Sequence, residues 1–163
     1  MRNWAKLGWA DPLYIGAASS IARVAEIVRL ATEDVMKPYG VSQTRKELLN
    51  LLYMSRAGEL PMGKIGSRMF IHPTSVTSAV DGLERLGYVV RVPHPVDRRT
   101  TLVRITDAGR ELIDRTNPDV LATRHGLGVL TEEELAEIVR LLRKVRLAHG
   151  DFLDPANPSS DDT

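Results

Sequence analysis

Apolar residues recur at every third or fourth position over several stretches of this chain, which is the spacing of one buried face of a helix. The first stretch predicts a helix over residues 13–36 that ends at Pro38 and Gly40. A second helix is predicted over residues 42–55, and a short third helix after Pro61. The apolar stripe of the first helix consists of Ile21, Val24, Ala25, Val28, Ala31 and Val35.

The pattern changes between residues 72 and 106. Residues 73–86 predict a fourth helix, which Gly87 ends. The apolar side of that helix is formed by Val76, Val80 and Leu83. Two β-rich runs follow at residues 88–92 and 101–105, separated by turn residues and a basic tip. A helix followed by such a hairpin is typical of a winged helix-turn-helix, which binds duplex DNA.

A helical pattern returns after the hairpin. It predicts a fifth helix with a kink or break at Pro118, because proline removes a hydrogen bond from the helix ladder. Gly126 and Gly128 predict a linker, and Thr131 and Glu134 have the spacing of a capping box. A last helix follows, and its apolar stripe is formed by Leu135, Ile138, Val139, Leu142 and Val145.

These elements predict a mainly α fold with a small β-hairpin wing (α+β). We assign residues 41–106 to a winged helix-turn-helix, and residues 13–40 and 107–153 to a helical dimerisation region. Residues 1–12 are an N-terminal extension, and residues 154–163 are expected to be a disordered tail. A winged helix does not need the flanking helices, so we expect a homodimer that presents two modules to a palindrome. The alternative is that these helices cover one monomeric core.

Charge is unevenly distributed along the chain. The 163 residues carry a net charge of only +1, which by itself does not favour a nucleic-acid partner. Residues 61–110, however, contain eight basic and four acidic residues and carry +4, while the rest of the chain carries −3. The positive excess therefore lies in the predicted winged module, as phosphate binding requires.

The sequence lacks the signatures of several other protein classes. It contains no cysteine, which excludes disulfides, cysteine zinc sites and thiol redox sensing. It has no catalytic or nucleotide-binding motif, and its four histidines lack metal-ligand spacing, so we predict neither an enzyme nor a metal or cofactor site. With no membrane-length apolar run and no secretory signal, we expect a cytoplasmic protein without a membrane partner.

The polar side of the fourth helix supplies the first candidate DNA contacts. Thr74, Ser75, Thr77 and Ser78 are short polar residues that can approach base edges and phosphates. The alternative for Thr74 or Ser75 is a helix cap. The basic side chains near this surface are candidates for phosphate contacts, and they are Lys64, Arg68 and Arg91.

Two motifs occur in order along the helix and wing. The letters VTSAVDGLERLGYV at residues 76–89 match the pattern V-T-x-x-V-D-x-L-E-x-x-G-hydrophobic-V. The wing has DRR at residues 97–99, then a strand and ITDAG at residues 105–109. On these motifs the chain resembles the MarR (multiple antibiotic resistance regulator) family over residues 13–152. The resemblance implies a homodimer of winged-helix subunits that represses, or sometimes activates, nearby genes and that a small-molecule effector releases from DNA.

The resemblance also implies roles in the wing. Arg99 would insert into the minor groove and Arg98 would contact phosphate, while Asp97 is expected to orient an arginine. Where many members carry Arg or Asn after the helix threonine, this chain has Ser78 followed by Ala79, so more specificity should depend on the wing arginines. Two alternatives remain: an architectural DNA binder insensitive to effectors, and a winged-helix module that binds another protein.

Overall fold

A computed structural model describes residues 12–97 and 99–150. Residues 1–11, Arg98 and residues 151–163 lie outside the described part, and with them almost all of the predicted extension and the whole predicted tail. The helices are α1 (Pro12–Met36), α2 (Gln43–Met54), α3 (Met62–Met69), α4 (Pro73–Arg85), α5 (Asp107–Ala122) and α6 (Glu132–Ala148), and the strands are β1 (Glu59–Pro61), β2 (Val89–Pro93) and β3 (Thr101–Ile105). The predicted mainly α fold with a β-hairpin wing is confirmed.

The strands form one antiparallel sheet in the order β1-β3-β2. The β2–β3 hairpin is the predicted wing, with Val90 opposite Arg104. The strand β1, in which Leu60 pairs with Val103, was not predicted from the sequence. It has only three residues and ends in a proline, so it is too short to show an alternating pattern.

The hydrophobic core lies between α2, α4, α5 and the sheet. All three apolar residues predicted for the inner side of α4 are among its members. The fully buried residues of the core include Leu48, Leu49, Leu52, Ile65, Val80, Leu83, Val89, Val103 and Ile113. Burying a side chain of this size stabilises the fold by about 1.5–3 kcal/mol, so these residues hold the winged module together.

The helix α5 continues through Pro118 to Ala122, so the predicted break at this proline is wrong. Proline inside a helix costs about 3 kcal/mol, through the lost hydrogen bond and a steric clash. Here α5 packs into the core on both sides of the proline, since Ile113 and Val120 are buried. Tertiary packing thus offsets the local cost and keeps the helix continuous.

The connection between α5 and α6 packs against α1. A 3-10 turn occupies Arg124–Gly126, and Gly126 has a φ of +72°. A Cβ atom at Gly126 would lie 2.6 Å from Cγ2 of Ile27, so α1 can approach the turn only because this residue is glycine. The predicted linker is therefore a tight turn in contact with α1.

The capping box at the start of α6 is confirmed. The amide of Thr131 donates to Glu134 Oε2 at 2.9 Å, and the amide of Glu134 donates to Thr131 Oγ1 at 3.3 Å. The two reciprocal bonds satisfy backbone donors that have no partner within the helix. Among the described residues, no helix is long and apolar enough to cross a membrane.

Candidate nucleic-acid interface

The helix α4 has one buried side and one side open to solvent. Val76, Val80 and Leu83 are buried, as their spacing predicts. The four hydroxyl-bearing candidates lie on the outer side and are all exposed; they are Thr74, Ser75, Thr77 and Ser78. Ala79 is only 6% exposed, but it lines the same cavity as Ser75 and Ser78.

The cap of α4 is His72, and neither Thr74 nor Ser75 has that role. Nδ1 of His72 accepts a 3.3 Å hydrogen bond from the amide of Thr74 and lies 3.1 Å from its hydroxyl oxygen. The hydroxyl of Thr77 donates to the carbonyl of Pro73 at 3.1 Å, within the same helix. Because His72 caps the helix, the hydroxyl of Ser75 is not needed for that purpose.

Two of the four hydroxyls are free of partners within the described part of the chain. Among the described residues, the hydroxyls of Ser75 and Ser78 form no hydrogen bond, so both can donate to and accept from a ligand. The sequence could not separate them from Thr74 and Thr77, because all four residue types have the same hydrogen-bonding capacity. Only the three-dimensional arrangement shows which hydroxyls are already engaged.

Hydrogen bonds join the described residues at the tip of the wing. Asp97 Oδ1 accepts a 3.0 Å bond from the amide of Arg99, and Oδ2 accepts a 2.7 Å bond from the hydroxyl of Thr100. Nδ1 of His94 accepts from the amides of Val96 and Asp97 at 3.3 and 3.0 Å. The hydroxyl of Thr100 and the amide of Arg99 lower the pKa of the Asp97 carboxyl. Asp97 therefore orients the backbone of Arg99.

Arg91 ties the wing to α4. Its guanidinium forms ion pairs with Asp81 and Glu84 of α4, and its backbone amide donates to Glu84 at 3.0 Å. The side chain is only 27% exposed. Nearby, Arg104 of β3 pairs with Glu59 of β1. Since both arginines face carboxylates, the positive charge of the module is less available to DNA than the sequence count indicates.

The remaining basic candidates lie on α3. Lys64 and Arg68 are four residues apart, hence on one side of this helix, and both are half-buried. Close packing joins α3 to α4, because a Cβ atom at Gly66 would lie 3.3 Å from Cγ2 of Val76. The two cations therefore keep a fixed position relative to α4.

A polar cavity beside α4 was not predicted from the sequence. It lies between the beginning of α2 and the beginning of α4, and Ser42, Thr44 and Arg45 line it from the α2 side. No sequence pattern joins these residues to Ser75 and Ser78, which come about thirty positions later and line the same cavity. Folding alone brings them together.

Comparisons with known proteins agree with this arrangement. The family model described as MarR family matches residues 39–100. The regulator MhqR of Bacillus subtilis, described as an HTH-type transcriptional regulator, is 34% identical over 110 residues, which cover 67% of this chain and 74% of that protein. Sco5413, a MarR family transcriptional regulator from Streptomyces coelicolor, is 45% identical, with a TM-score of 0.77 and coverage of 86% of this chain and 98% of that one.

A third protein shares the fold at lower identity. Sco3205 of Streptomyces coelicolor, a MarR family transcriptional regulator solved in complex with DNA, is 23% identical with a TM-score of 0.76, covering 86% of this chain and 89% of that one. At this identity the likeness concerns the fold. On the family model and the closer relatives together, the chain belongs to the MarR family, whose members are DNA-binding transcriptional regulators and not enzymes.

Proposed function

We propose that this protein regulates transcription as a homodimer that binds a palindromic operator, with α4 in the major groove and the β2–β3 wing in the minor groove. One observation carries the proposal: the exposed hydroxyl side of α4 lies beside a wing that Arg91 ties to that same helix. Helix and wing therefore reach a duplex as one unit. A major groove admits a helix, and a narrow minor groove attracts an arginine.

Each candidate residue has a role in this proposal. Thr74, Ser75, Thr77 and Ser78 contact base edges and nearby phosphates, and Lys64 and Arg68 contact phosphates from α3. At the wing, Arg99 enters the minor groove with its backbone oriented by Asp97, and Arg98 contacts phosphate. Arg91 positions the wing, and this role replaces the direct phosphate contact that the sequence suggested. The assignments stand on exposure, charge and place in the fold.

The flanking helices form the dimer interface in this proposal. α1 exposes apolar side chains such as Ile27 and Leu30, each 49% exposed, and α6 exposes Val139 at 60%. No residue of α6 is buried within the single chain. Contiguous exposed apolar faces mark interaction surfaces, and homodimers are typical of the family. Residues 13–40 and 107–153 would thus be the dimerisation region, and residues 41–106 the module that binds one half-site.

Family membership supports a proposal for the regulatory outcome. We assign the protein as a cytoplasmic repressor that a small-molecule effector releases from its operator, with no cofactor. Two recognition helices related by two-fold symmetry would contact half-sites about 34–36 Å apart. A ligand that binds the DNA-free state more tightly would lower the operator affinity.

Selection of bound duplexes from fragmented genomic DNA tests this function. We expect enrichment of a palindrome with half-sites one helical turn apart, and affinity that falls steeply with salt. Replacing both Arg98 and Arg99 by alanine should abolish operator binding while the dimer remains intact. Recovery of no common palindrome, or unchanged affinity of the double variant, would contradict the proposal. The genes adjacent to the recovered sites then define which effectors to assay for release.

A further inference from the structure

The polar cavity beside α4 has the composition of an anion site. It is open to solvent and has a volume of about 330 Å³. No lining residue is acidic, and the lining contains five hydroxyl groups and one guanidinium. The residues that supply these groups are Ser42, Thr44 and Arg45 from the α2 side and Thr74, Ser75 and Ser78 from α4. Hydrogen-bond donors therefore meet here from two different helices.

Arg45 spans the gap between α2 and α4 because Gly82 has no side chain. Its Nη1 donates a 3.0 Å hydrogen bond to the carbonyl of Gly40, which leaves further N–H donors on the guanidinium. A Cβ atom at Gly82 would lie 2.2 Å from Nη2, 2.3 Å from Cζ and 2.4 Å from Nε of Arg45. The guanidinium thus lies directly against the backbone of α4, in a space that any other residue at position 82 would fill.

The beginning of α2 adds a further attraction for anions. Ser42 occupies the cap position, yet its side chain forms no capping hydrogen bond. The first amides of α2 are therefore not satisfied by that hydroxyl, and the amino end of a helix carries a partial positive charge. Amides, hydroxyls and a guanidinium together are the donors that bind phosphate groups in proteins.

We infer that this cavity binds one backbone phosphate of the operator in each half-site. The cavity opens beside the exposed hydroxyls of α4, which the proposed function places against DNA. The inference therefore rests on the proposed function. A phosphate held between α2 and α4 fixes how deeply and in which register α4 enters the major groove. Arg45 is thus a DNA contact, and Gly82 is a positioning residue that acts through Arg45.

The first test compares two arginine variants at opposite ends of α2. Arg45→Ala removes the proposed contact, whereas Arg56→Ala removes an exposed arginine just beyond the other end of the helix, about 16 Å away. Operator affinity is measured by fluorescence anisotropy over a series of salt concentrations. We expect Arg45→Ala to weaken binding about ten-fold per half-site and to reduce the salt slope by about 0.9 per subunit. Arg56→Ala should behave as the wild type.

The second test displaces the guanidinium without removing its charge. Gly82→Ala introduces a methyl group where the guanidinium lies, and alanine favours a helix more than glycine does, so the fold is retained. We expect an affinity loss close to that of Arg45→Ala, and no further loss when both changes are combined. If Gly82→Ala keeps wild-type affinity, or if the losses simply add, the positioning role of Gly82 is wrong.

The third test neutralises the phosphate. Operators that carry a single methylphosphonate linkage in each half-site, moved along the strand, should reveal one position that weakens wild-type binding and leaves Arg45→Ala unaffected. Inorganic phosphate, compared with chloride at equal ionic strength, should displace the operator from the wild type more readily than from Arg45→Ala, because the same donors attract the free ion; equal displacement from both proteins would contradict the site. If the wild type binds no operator, the proposed function itself fails. If it binds and Arg45→Ala matches Arg56→Ala, only the phosphate site fails.

Discussion

Lys46 of α2 and Asn117 of α5 are joined by a 2.8 Å hydrogen bond from Nζ to Oδ1. Lys46 is only 2% exposed, and its other acceptor is Oδ1 of Asn50 at 3.0 Å. A buried ammonium is stable only when acceptors surround it. The bond therefore fastens the winged module to the helix that leaves it toward the proposed dimer region.

Removing the Asn117 acceptor should destabilise the fold. In Asn117→Ala the Lys46 ammonium loses one of its two acceptors, and we expect the free energy of unfolding to fall by about 2 kcal/mol. Asn117→Asp, which keeps an acceptor and adds a negative charge beside Nζ, should recover most of the loss. Urea unfolding at fixed protein concentration measures both. Equal stability of Asn117→Ala and the wild type would show that the bond contributes nothing.

The same lysine should give the stability an alkaline pH dependence. Burial lowers the pKa of Lys46 below its ordinary value of 10.5. Between the folded-state pKa and 10.5 the unfolded chain binds more protons than the folded one, so stability rises with pH across that interval. Lys46→Met has no such group, so the stability of the wild type relative to this variant should increase as the pH approaches 10.5. Unfolding curves of both proteins over that range test the sign, and a constant difference would contradict it.

Neutralising an acid of α4 should weaken DNA binding. Glu84→Gln removes a negative charge near DNA, and electrostatics alone would strengthen binding. In the structure, however, Glu84 forms an ion pair with Arg91 and accepts a hydrogen bond from its backbone amide, and both interactions position the wing. We expect affinity to fall by up to about five-fold, in line with a partly exposed ion pair. Glu111→Gln, an exposed acid on α5, is the control. A gain in affinity for Glu84→Gln would instead assign Arg91 to phosphate.

The wing tip should depend on the charge of Asp97. The pKa of its carboxyl lies below the ordinary 3.8, because the hydroxyl of Thr100 and the amide of Arg99 bind the charged form. The stabilisation is therefore complete above pH 3.8 and is lost as the pH falls through the lowered pKa. At neutral pH, Asp97→Asn should shift the amide resonance of Arg99 and weaken operator binding, whereas Asp119→Asn, an exposed acid on α5, should do neither. An unperturbed Arg99 amide in Asp97→Asn would show that the loop is ordered without the charge.

A charge on the apolar stripe of α6 should prevent dimerisation. Val139 is 60% exposed in the single chain, so Val139→Glu costs little there but buries a carboxylate in the proposed interface. Light scattering should find a monomer, with operator affinity largely lost. Val129→Glu, at a residue 91% exposed between α5 and α6, should remain dimeric. A dimeric Val139→Glu with normal affinity would exclude α6 from the interface.

Local sequence determined most of the winged module. The inner side of α4 follows from the spacing of Val76, Val80 and Leu83, and the Thr131 capping box depends on residues three positions apart. Such patterns involve neighbours along the chain, and backbone geometry converts them directly into structure. The outer hydroxyl side of α4 and the strands of the wing were predictable for the same reason.

Tertiary structure decided what depends on residues distant in sequence. Pro118 stays within a helix because packing on both sides outweighs the local cost of a proline. Arg91 pairs with Asp81 and Glu84, which lie ten and seven positions earlier, only because the chain turns back from α4 into the wing. The contact of Arg45 with Gly82 joins residues that are 37 positions apart in the sequence. The sequence by itself determined that this chain presents a helix and a wing to DNA. Only the packing of α2 against α4 decided that groups of α2, such as the guanidinium of Arg45, lie beside the proposed DNA surface of α4. Sequence periodicity describes one element at a time and does not predict contacts between separate elements.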